Sequence, residues 1–287
     1  MASLSPAIAL LHTKAPSSNS NAPLPPQLDS DDESKIFNVY ADEVDDPRDT
    51  QRSELISLLP EQVYSPDSKS IRLAFAPRRT GSATQPAAHT LDQHANGSAL
   101  SVELCVDASP GCGGIVWQAG QILSNYLVHK GRDSLRGKSV LELGSGTGLV
   151  GIVAAKLDGK VCITDQAPLL DIMRRNVDLN ELSHSCQVAE FNWGEPIPEG
   201  IPTPDIILAA DCVYFEPAFP LLVQTLCDLS PKGSKVEILF CYKKRRKADK
   251  RFFGMLKKKF RWEEVMDDPC REIYSRDAVT LLQLYRI

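Results

Sequence analysis

The sequence lacks the features that would place it in a membrane, in the secretory pathway or among metalloproteins. No apolar run approaches the roughly 20 residues that a membrane-spanning helix needs. The apolar patch at 7–11 has no basic residue ahead of it, unlike a secretory signal. The eight cysteines form no C-x-x-C pair and no His/Cys cluster at zinc spacing. We therefore expect a cytoplasmic protein with reduced cysteines, no membrane contact and no metal.

Composition divides the chain into two regions. Residues 1–66 begin rich in Ser, Pro, Asn and Asp and contain few aromatics, so they can bury little apolar surface to offset the entropy of ordering. We expect a disordered or loosely packed N-terminal region there. Residues 67–287 alternate strand-like and helix-like segments, which predicts an α/β domain with helices on both faces of a parallel sheet. At its start, 71–75 and 100–106 are strand-like, and we expect them to pair as a β-hairpin.

The segment 139–151, SVLELGSGTGLVG, predicts a strand, a glycine turn and a helix. Gly144, Gly146 and Gly148 would let the backbone approach a ligand without Cβ obstruction, and the helix would present unpaired N–H groups to it. Leu149 stands where the dinucleotide fingerprint G-x-G-x-x-G requires a third glycine. The turn thus predicts a nucleotide-type site at the carboxyl edge of the sheet that does not fit a dinucleotide well.

Two carboxylates near this turn indicate which nucleotide-like ligand it binds. Glu142, two residues before the first glycine, suits a ligand with an ammonium group better than one with two phosphates. A second predicted strand, 161–164, ends in Asp165, 21 positions after Gly144, where a carboxylate can accept both ribose hydroxyls. A ligand that carries both a ribose and an ammonium group indicates S-adenosylmethionine.

These motifs resemble the first two motifs of the class I, seven-β-strand methyltransferases. With GGIVW at 113–117, NW at 192–193 and ADCVY at 210–214, the chain resembles the protein-lysine methyltransferase branch called family 16. The run CYKKRRKADKRFF at 241–253 is similar to that of fungal methyltransferases that act on translation elongation factor 1-alpha. The resemblance covers about 100–287. It implies a Rossmann-like seven-stranded sheet with an antiparallel last strand.

The resemblance also implies roles for individual residues. Asp211 would bind and orient the target lysine nitrogen, because an ammonium is repelled by the neighbouring sulfonium, and Tyr214 would pack over the amine or hydrogen-bond to it. The alternative is that Asp211 caps the following turn and Tyr214 is a packing residue. The residues expected to bind the cofactor are Trp117, Glu142, Gly144, Ser145, Gly146, Asp165, Trp193 and Ala210.

The segment 243–259 holds ten Lys or Arg residues and one acid, Asp249. Its simplest interpretation is a solvated helix face, with Phe252, Phe253 and Phe260 on the inward side of that helix. The segment could also steer an acidic protein surface or RNA toward the active-site edge.

The sequence as a whole predicts a monomeric, S-adenosylmethionine-dependent protein-lysine methyltransferase that acts on elongation factor 1-alpha and does not require nucleic acid. Three alternatives remain open at this point. A small-molecule methyltransferase would share the cofactor motifs, and a nicotinamide-dependent oxidoreductase would share the glycine turn. The third is a cofactor-binding scaffold that has lost catalysis.

Overall fold

The computed structural model describes residues 63–65, 70–76, 99–109 and 112–287, so most of the predicted N-terminal region, 1–62, lies outside the described residues. The strands of the described part are β1 (Val63–Ser65), β2 (Ser70–Phe75), β3 (Leu100–Cys105), β4 (Ser139–Leu143), β5 (Lys160–Asp165), β6 (Cys186–Glu190), β7 (Ile206–Ala210), β8 (Glu237–Lys243), β9 (Phe260–Glu264) and β10 (Val279–Arg286).

From β3 onward, an α-helix of the same part follows each strand except β6 and β10. The helices are α1 (Gln118–Lys130), α2 (Leu149–Lys156), α3 (Leu170–Leu179), α4 (Phe219–Leu229), α5 (Asp249–Leu256) and α6 (Arg271–Arg276). None of these helices is both long enough and apolar enough to pass through a bilayer.

Seven strands form one sheet in the order β6-β5-β4-β7-β8-β10-β9. The first five of these pair in parallel, and β10 lies antiparallel between β8 and β9. The sheet confirms the seven-stranded α/β fold and the antiparallel last strand. The strand order reverses between β4 and β7, and ligands of such sheets bind at the carboxyl ends of the strands beside that reversal.

The central strands are buried on both faces, because helices cover both sides of the sheet and alternate side chains point to opposite sides. Val140 on β4 and Leu208 on β7 belong to the core that also contains side chains of α1, α2 and α3. Leu141 and Leu143 on β4 belong to the opposite core, together with side chains of α4 and α5. This packing fixes the carboxyl end of β4, where the glycine turn begins.

A separate three-stranded sheet, β1-β2-β3, packs beside the main one. Strands β2 and β3 pair antiparallel, with Ile71 opposite Leu104, as the predicted hairpin requires. Strand β1, which the sequence did not predict, pairs antiparallel with β2. Buried Asn176 on α3 ties this sheet to the domain, because its side chain accepts from Cys105 N (2.6 Å) and donates to Cys105 O (3.1 Å).

The predictions were wrong in detail after β8. The helix expected over 247–258 is α5, which is shorter, and Phe260 lies on β9 instead of on a helix face. Phe260 is buried, as expected, but the segment that follows it alternates in exposure with the period of two typical of a strand. Helix α6 was not predicted either.

Candidate functional site

A cavity of about 620 Å³ lies at the carboxyl ends of β4, β5, β6 and β7. All ten residues that the sequence predicts for the site line this cavity. They are Trp117, Glu142, Gly144, Ser145, Gly146, Asp165, Trp193, Ala210, Asp211 and Tyr214. Their individual contacts to cofactor or substrate stay predictions.

The glycine turn at the end of β4 admits no side chain at two of its positions. A Cβ on Gly146, whose φ is +55°, would lie 2.5 Å from the carbonyl oxygen of Gly113. A Cβ on Gly144, whose φ is +61°, would lie 2.9 Å from Cζ2 of the Trp193 indole. The turn is therefore held between the upstream Gly-Gly motif and the indole that follows β6, and its backbone forms part of the cavity wall.

Asp165, at the end of β5, holds the glycine turn by a hydrogen bond and also lines the cavity. Its Oδ2 accepts from Gly146 N and its Oδ1 accepts from Gln166 N, both at 2.8 Å. Burial raises the pKa of Asp165 to about 6, although these two backbone donors favour the ionised form. Each oxygen keeps acceptor capacity, which a ribose diol could use.

The Ser145 hydroxyl makes its hydrogen bonds within the fold, and the contact of Ser145 to the cofactor stays a prediction. Its hydroxyl accepts from Thr164 N at 3.0 Å and donates to Glu142 O at 3.4 Å, so it fastens the turn to the neighbouring strand. Ser145 lines the cavity. Because its hydroxyl is used within the fold, we expect any contact to a cofactor to come mainly from its backbone.

Glu142 is a carboxylate enclosed beneath helix α2. The residue is 2 % exposed, and its Oε2 accepts from Gly151 N at 2.9 Å. Burial raises the pKa of Glu142 to about 8. The group is thus largely protonated at neutral pH, and the arrival of a cation beside it would favour loss of that proton.

An amide and an indole follow β6, where the sequence places adenine recognition. The Asn192 Nδ2 donates to Glu190 and to Glu195, at 3.3 Å in each case, which leaves Oδ1 as an acceptor suited to an adenine amino group. Trp193 is half-buried. Phe191 and Leu221 add apolar surface to the same part of the cavity.

Asp211, directly after β7, forms a two-point ion pair with Arg245. Its Oδ1 accepts from Arg245 Nη1 at 2.8 Å, and its Oδ2 accepts from Arg245 Nη2 at 3.0 Å. Both side chains are nearly enclosed, at 6 % exposed for Asp211 and 10 % for Arg245. Lys243 N also donates to Oδ1 at 3.1 Å. Three of the roughly four acceptor sites of this carboxylate are therefore occupied, and the remaining one lies on Oδ2.

The backbone at Asp211 is held in a conformation that few side chains adopt. Its φ is +56°, in the left-handed region, and Asp211 N donates to Cys241 O at 2.8 Å. Such strain of about 1–3 kcal/mol persists only where the surroundings over-determine it, and it is common at functional sites. Asp211, held in this conformation, lines the cavity.

Arg245 lies at the candidate site and was not predicted there from the sequence. It lines the cavity, and its Cζ lies 5.3 Å from the centre of the Trp117 ring. Trp117 in turn donates its Nε1–H to Cys112 O at 2.9 Å, which orients the indole. Arg245 contacts the ring of Trp117 and pairs with Asp211, so it belongs to the candidate site. The sequence pattern alone placed it on a solvated helix face instead.

The charges of the cavity suit a cationic ligand. The described residues that line it include the carboxylates Glu142, Asp165, Glu190 and Asp211, against Arg245 as their one guanidinium and no lysine. Arg245 is already neutralised by Asp211. Two phosphates would be repelled by the ionised Asp165 and Glu190, whereas a ligand with a sulfonium and an ammonium would be attracted and would favour ionisation of Glu142 as well. The cavity therefore fits S-adenosylmethionine and disfavours a nicotinamide dinucleotide.

Comparison with known proteins identifies the family. The model of a family described as lysine methyltransferase matches residues 97–259. The chain belongs to this family. As a lysine methyltransferase, it uses S-adenosylmethionine as methyl donor and a protein lysine as acceptor, which sets aside the small-molecule, oxidoreductase and scaffold alternatives.

Curated lysine methyltransferases from several organisms are similar to the chain over most of their length. Protein-lysine N-methyltransferase EFM6 of Saccharomyces cerevisiae is 42 % identical over 212 residues, which cover 65 % of this chain and 86 % of that protein. Protein N-lysine methyltransferase METTL21A of Danio rerio is 43 % identical over 59 % of this chain and 78 % of its own length. EEF1A lysine methyltransferase 3 of Xenopus tropicalis is 37 % identical over 45 % of this chain and 58 % of its own length.

Proposed function

We propose that this lysine methyltransferase modifies a lysine of translation elongation factor 1-alpha, with Asp211 as the residue that receives the target amine. The observation that carries the catalytic part is an enclosed carboxylate that lines the cavity and whose hydrogen bonds leave one of its roughly four acceptor sites for the amine. The choice of substrate is supported by the frog relative, which is named for EEF1A, and by the similarity of the segment 241–253 to fungal enzymes of that specificity.

Asp211 positions the amine through the acceptor site on Oδ2. A lysine nitrogen that donates one N–H to this oxygen has its rotation limited, and alignment of the reacting atoms is the main requirement of an in-line displacement. Arg245 holds the carboxylate itself in one orientation through its two parallel contacts. Arg245 is thus a positioning residue, while Asp211 contacts the substrate.

Arg245 also influences the protonation of the amine. A lysine of reference pKa near 10.4 must lose a proton before its lone pair can attack. The guanidinium beside Asp211 opposes a second positive charge at the same carboxylate, so the neutral amine is favoured over the ammonium. The proton leaves to solvent as the amine binds, and no dedicated general base is required.

The rest of the cavity binds the methyl donor. When bound, S-adenosylmethionine would supply a methyl group from its sulfonium sulfur, which would become a neutral thioether as the bond to the lysine nitrogen forms. Asp165 would accept hydrogen bonds from the ribose hydroxyls, and Asn192 with Trp193 would hold the adenine. Glu142 supplies negative charge near the amino-acid end once it is ionised. Tyr214, which follows Asp211 by three positions and lines the same cavity, packs over the target amine.

The test uses a lysate of a Saccharomyces cerevisiae strain that lacks EFM6. Wild-type protein and Asp211→Asn are incubated with methyl-labelled S-adenosylmethionine, and the labelled bands are identified by mass spectrometry. We expect one labelled protein, elongation factor 1-alpha, modified on lysine by the wild type alone. Label on a different protein would refute the proposed substrate, and normal transfer by Asp211→Asn would refute the proposed role of Asp211.

A further inference from the structure

A second depression in the described surface lies next to the active-site cavity, in the space between β8, α5 and β9. Its volume is about 380 Å³. Arg245 lines the active-site cavity and its neighbour Arg246 lines this depression. The Arg246 guanidinium donates to the carbonyl oxygen of Tyr214, which lines the cavity. The two spaces therefore share one wall, and we refer to the second as the basic groove.

The rim of the basic groove is positively charged. Lys244, Lys250 and Lys257 are exposed and have no carboxylate partner within the described part of the chain. Asp249 is the one described carboxylate among the lining residues. Its side chain is only 3 % exposed, and its Oδ2 accepts from the backbone N–H groups of Arg245 and Arg246. Asp249 therefore does not cancel the charge that the rim presents outward.

The floor of the basic groove is aromatic and closely packed. The ring centres of Tyr242 and Phe253 are 4.7 Å apart, and those of Phe253 and Trp262 are 5.5 Å apart. A cage around a methylated ammonium needs its rings spread around the cation. Rings in mutual contact leave no such space, and the three lysines of the rim would repel a cationic ligand. The floor instead offers a half-buried apolar surface.

We propose that the basic groove binds an acidic segment of the protein substrate that carries an apolar side chain, and so presents the target lysine to the adjoining cavity. This rests on the proposed function in so far as the acceptor is a folded protein. The carboxylates of the segment pair with Lys244, Lys250 and Lys257, and its apolar side chain packs on the floor. Charge complementarity of this kind mainly accelerates encounter and fixes orientation.

A protein segment fits the groove better than RNA does. Recognition of single-stranded nucleic acid uses aromatic rings with a face free for base stacking. Phe253, at the centre of the floor, is instead contacted by Tyr242, Phe252 and Trp262. Trp262 packs edge-on against it, with 64° between the two ring planes.

The test compares two variants of equal charge change in the full-length chain. Lys250→Glu/Lys257→Glu reverses two charges of the rim, and Lys232→Glu/Lys235→Glu reverses two exposed charges outside the groove. We measure kcat and KM for whichever protein the wild type labels in the lysate. The test therefore remains valid even if that protein is not elongation factor 1-alpha. Affinity for S-adenosylmethionine and for a fluorescent oligouridine is titrated in parallel.

The rim variant should raise KM for the protein substrate roughly tenfold with kcat and cofactor affinity unchanged, while the control should stay within about twofold of wild type. The KM of wild type should rise between about 0.05 and 0.3 M salt, and that of the rim variant should rise less. Trp262→Ser should raise KM without reducing this salt dependence, because it alters the floor alone.

Two results would overturn the proposal. Equal KM values for the rim variant and its control would show that the groove does not take part in substrate binding. Loss of oligouridine binding in the rim variant, with the protein KM unchanged, would assign the groove to nucleic acid instead.

Discussion

The ion pair between Asp211 and Arg245 allows the catalytic and the structural role of Asp211 to be separated. Arg245→Gln removes the charge partner of a carboxylate that is 6 % exposed, so water from the cavity can replace the lost contacts only in part. Breaking such a buried pair costs about 3–5 kcal/mol, a large part of the roughly 5–15 kcal/mol that stabilises a domain. We expect the melting temperature to fall by roughly 10 °C.

The neutral double variant distinguishes the two roles. Asp211→Asn alone leaves the Arg245 guanidinium without its carboxylate and should lower stability in the same way. Asp211→Asn/Arg245→Gln removes both charges, so it should recover about 0.5–3 kcal/mol relative to the sum of the single changes. Methyl transfer should nevertheless stay at least about 100-fold below wild type, because the acceptor that orients the amine is still missing.

The assay combines thermal unfolding with the rate of methyl transfer at saturating cofactor. Arg245→Gln provides a further readout, because without the guanidinium an amine at Asp211 is protonated more readily. The acid limb of its kcat/KM profile should therefore move to higher pH. If the double variant regained wild-type kcat together with its stability, Asp211 would be a structural residue and the proposed mechanism would be wrong.

Three further predictions concern the cofactor end of the cavity. Affinity for S-adenosylmethionine should rise from about pH 6 to about pH 8, because the cationic ligand favours the ionised forms of Asp165 and Glu142. Burial raises the pKa values of these two groups to about 6 and about 8. In calorimetric titrations, the Glu142→Gln variant should lack the upper part of this rise. Without ligand, the raised pKa of Glu142 contributes stability that is fully present below the unfolded pKa near 4.5 and is lost as pH rises through the folded pKa of about 8. The melting temperature of the wild type should therefore decline between about pH 4.5 and pH 8, and Glu142→Gln should flatten this decline. Gly146→Ala should abolish cofactor binding in a titration and destabilise the fold by about 1–3 kcal/mol. Residue 146 has a positive φ, and its added Cβ would meet the Gly113 carbonyl oxygen. Unchanged affinity would contradict this description of the turn.

The parts of the site that the sequence predicted are those defined by local pattern. Gly144, Gly146 and Asp165 follow runs of apolar residues that form parallel strands, and the carboxyl ends of such strands meet at one edge of a sheet. Their convergence on one cavity therefore needed no knowledge of packing. The function of each side chain was less predictable, because the hydroxyl of Ser145 is used by a backbone amide of the neighbouring strand, a contact that only the folded chain shows.

Arg245 could not be found in the sequence because its role depends on the register of two strands. Ala210 on β7 lies opposite Cys241 on β8, so Asp211 falls beside the residues that leave β8. That register brings the Lys243 amide and the Arg245 guanidinium onto one carboxylate. In sequence, Arg245 is one of ten basic residues in 243–259 and nothing sets it apart. Arg245 thus lines the active-site cavity, whereas Arg246, the next residue, lines the basic groove. A variant that neutralised the whole segment 243–259 would therefore alter both the positioning of Asp211 and the binding of substrate at the groove.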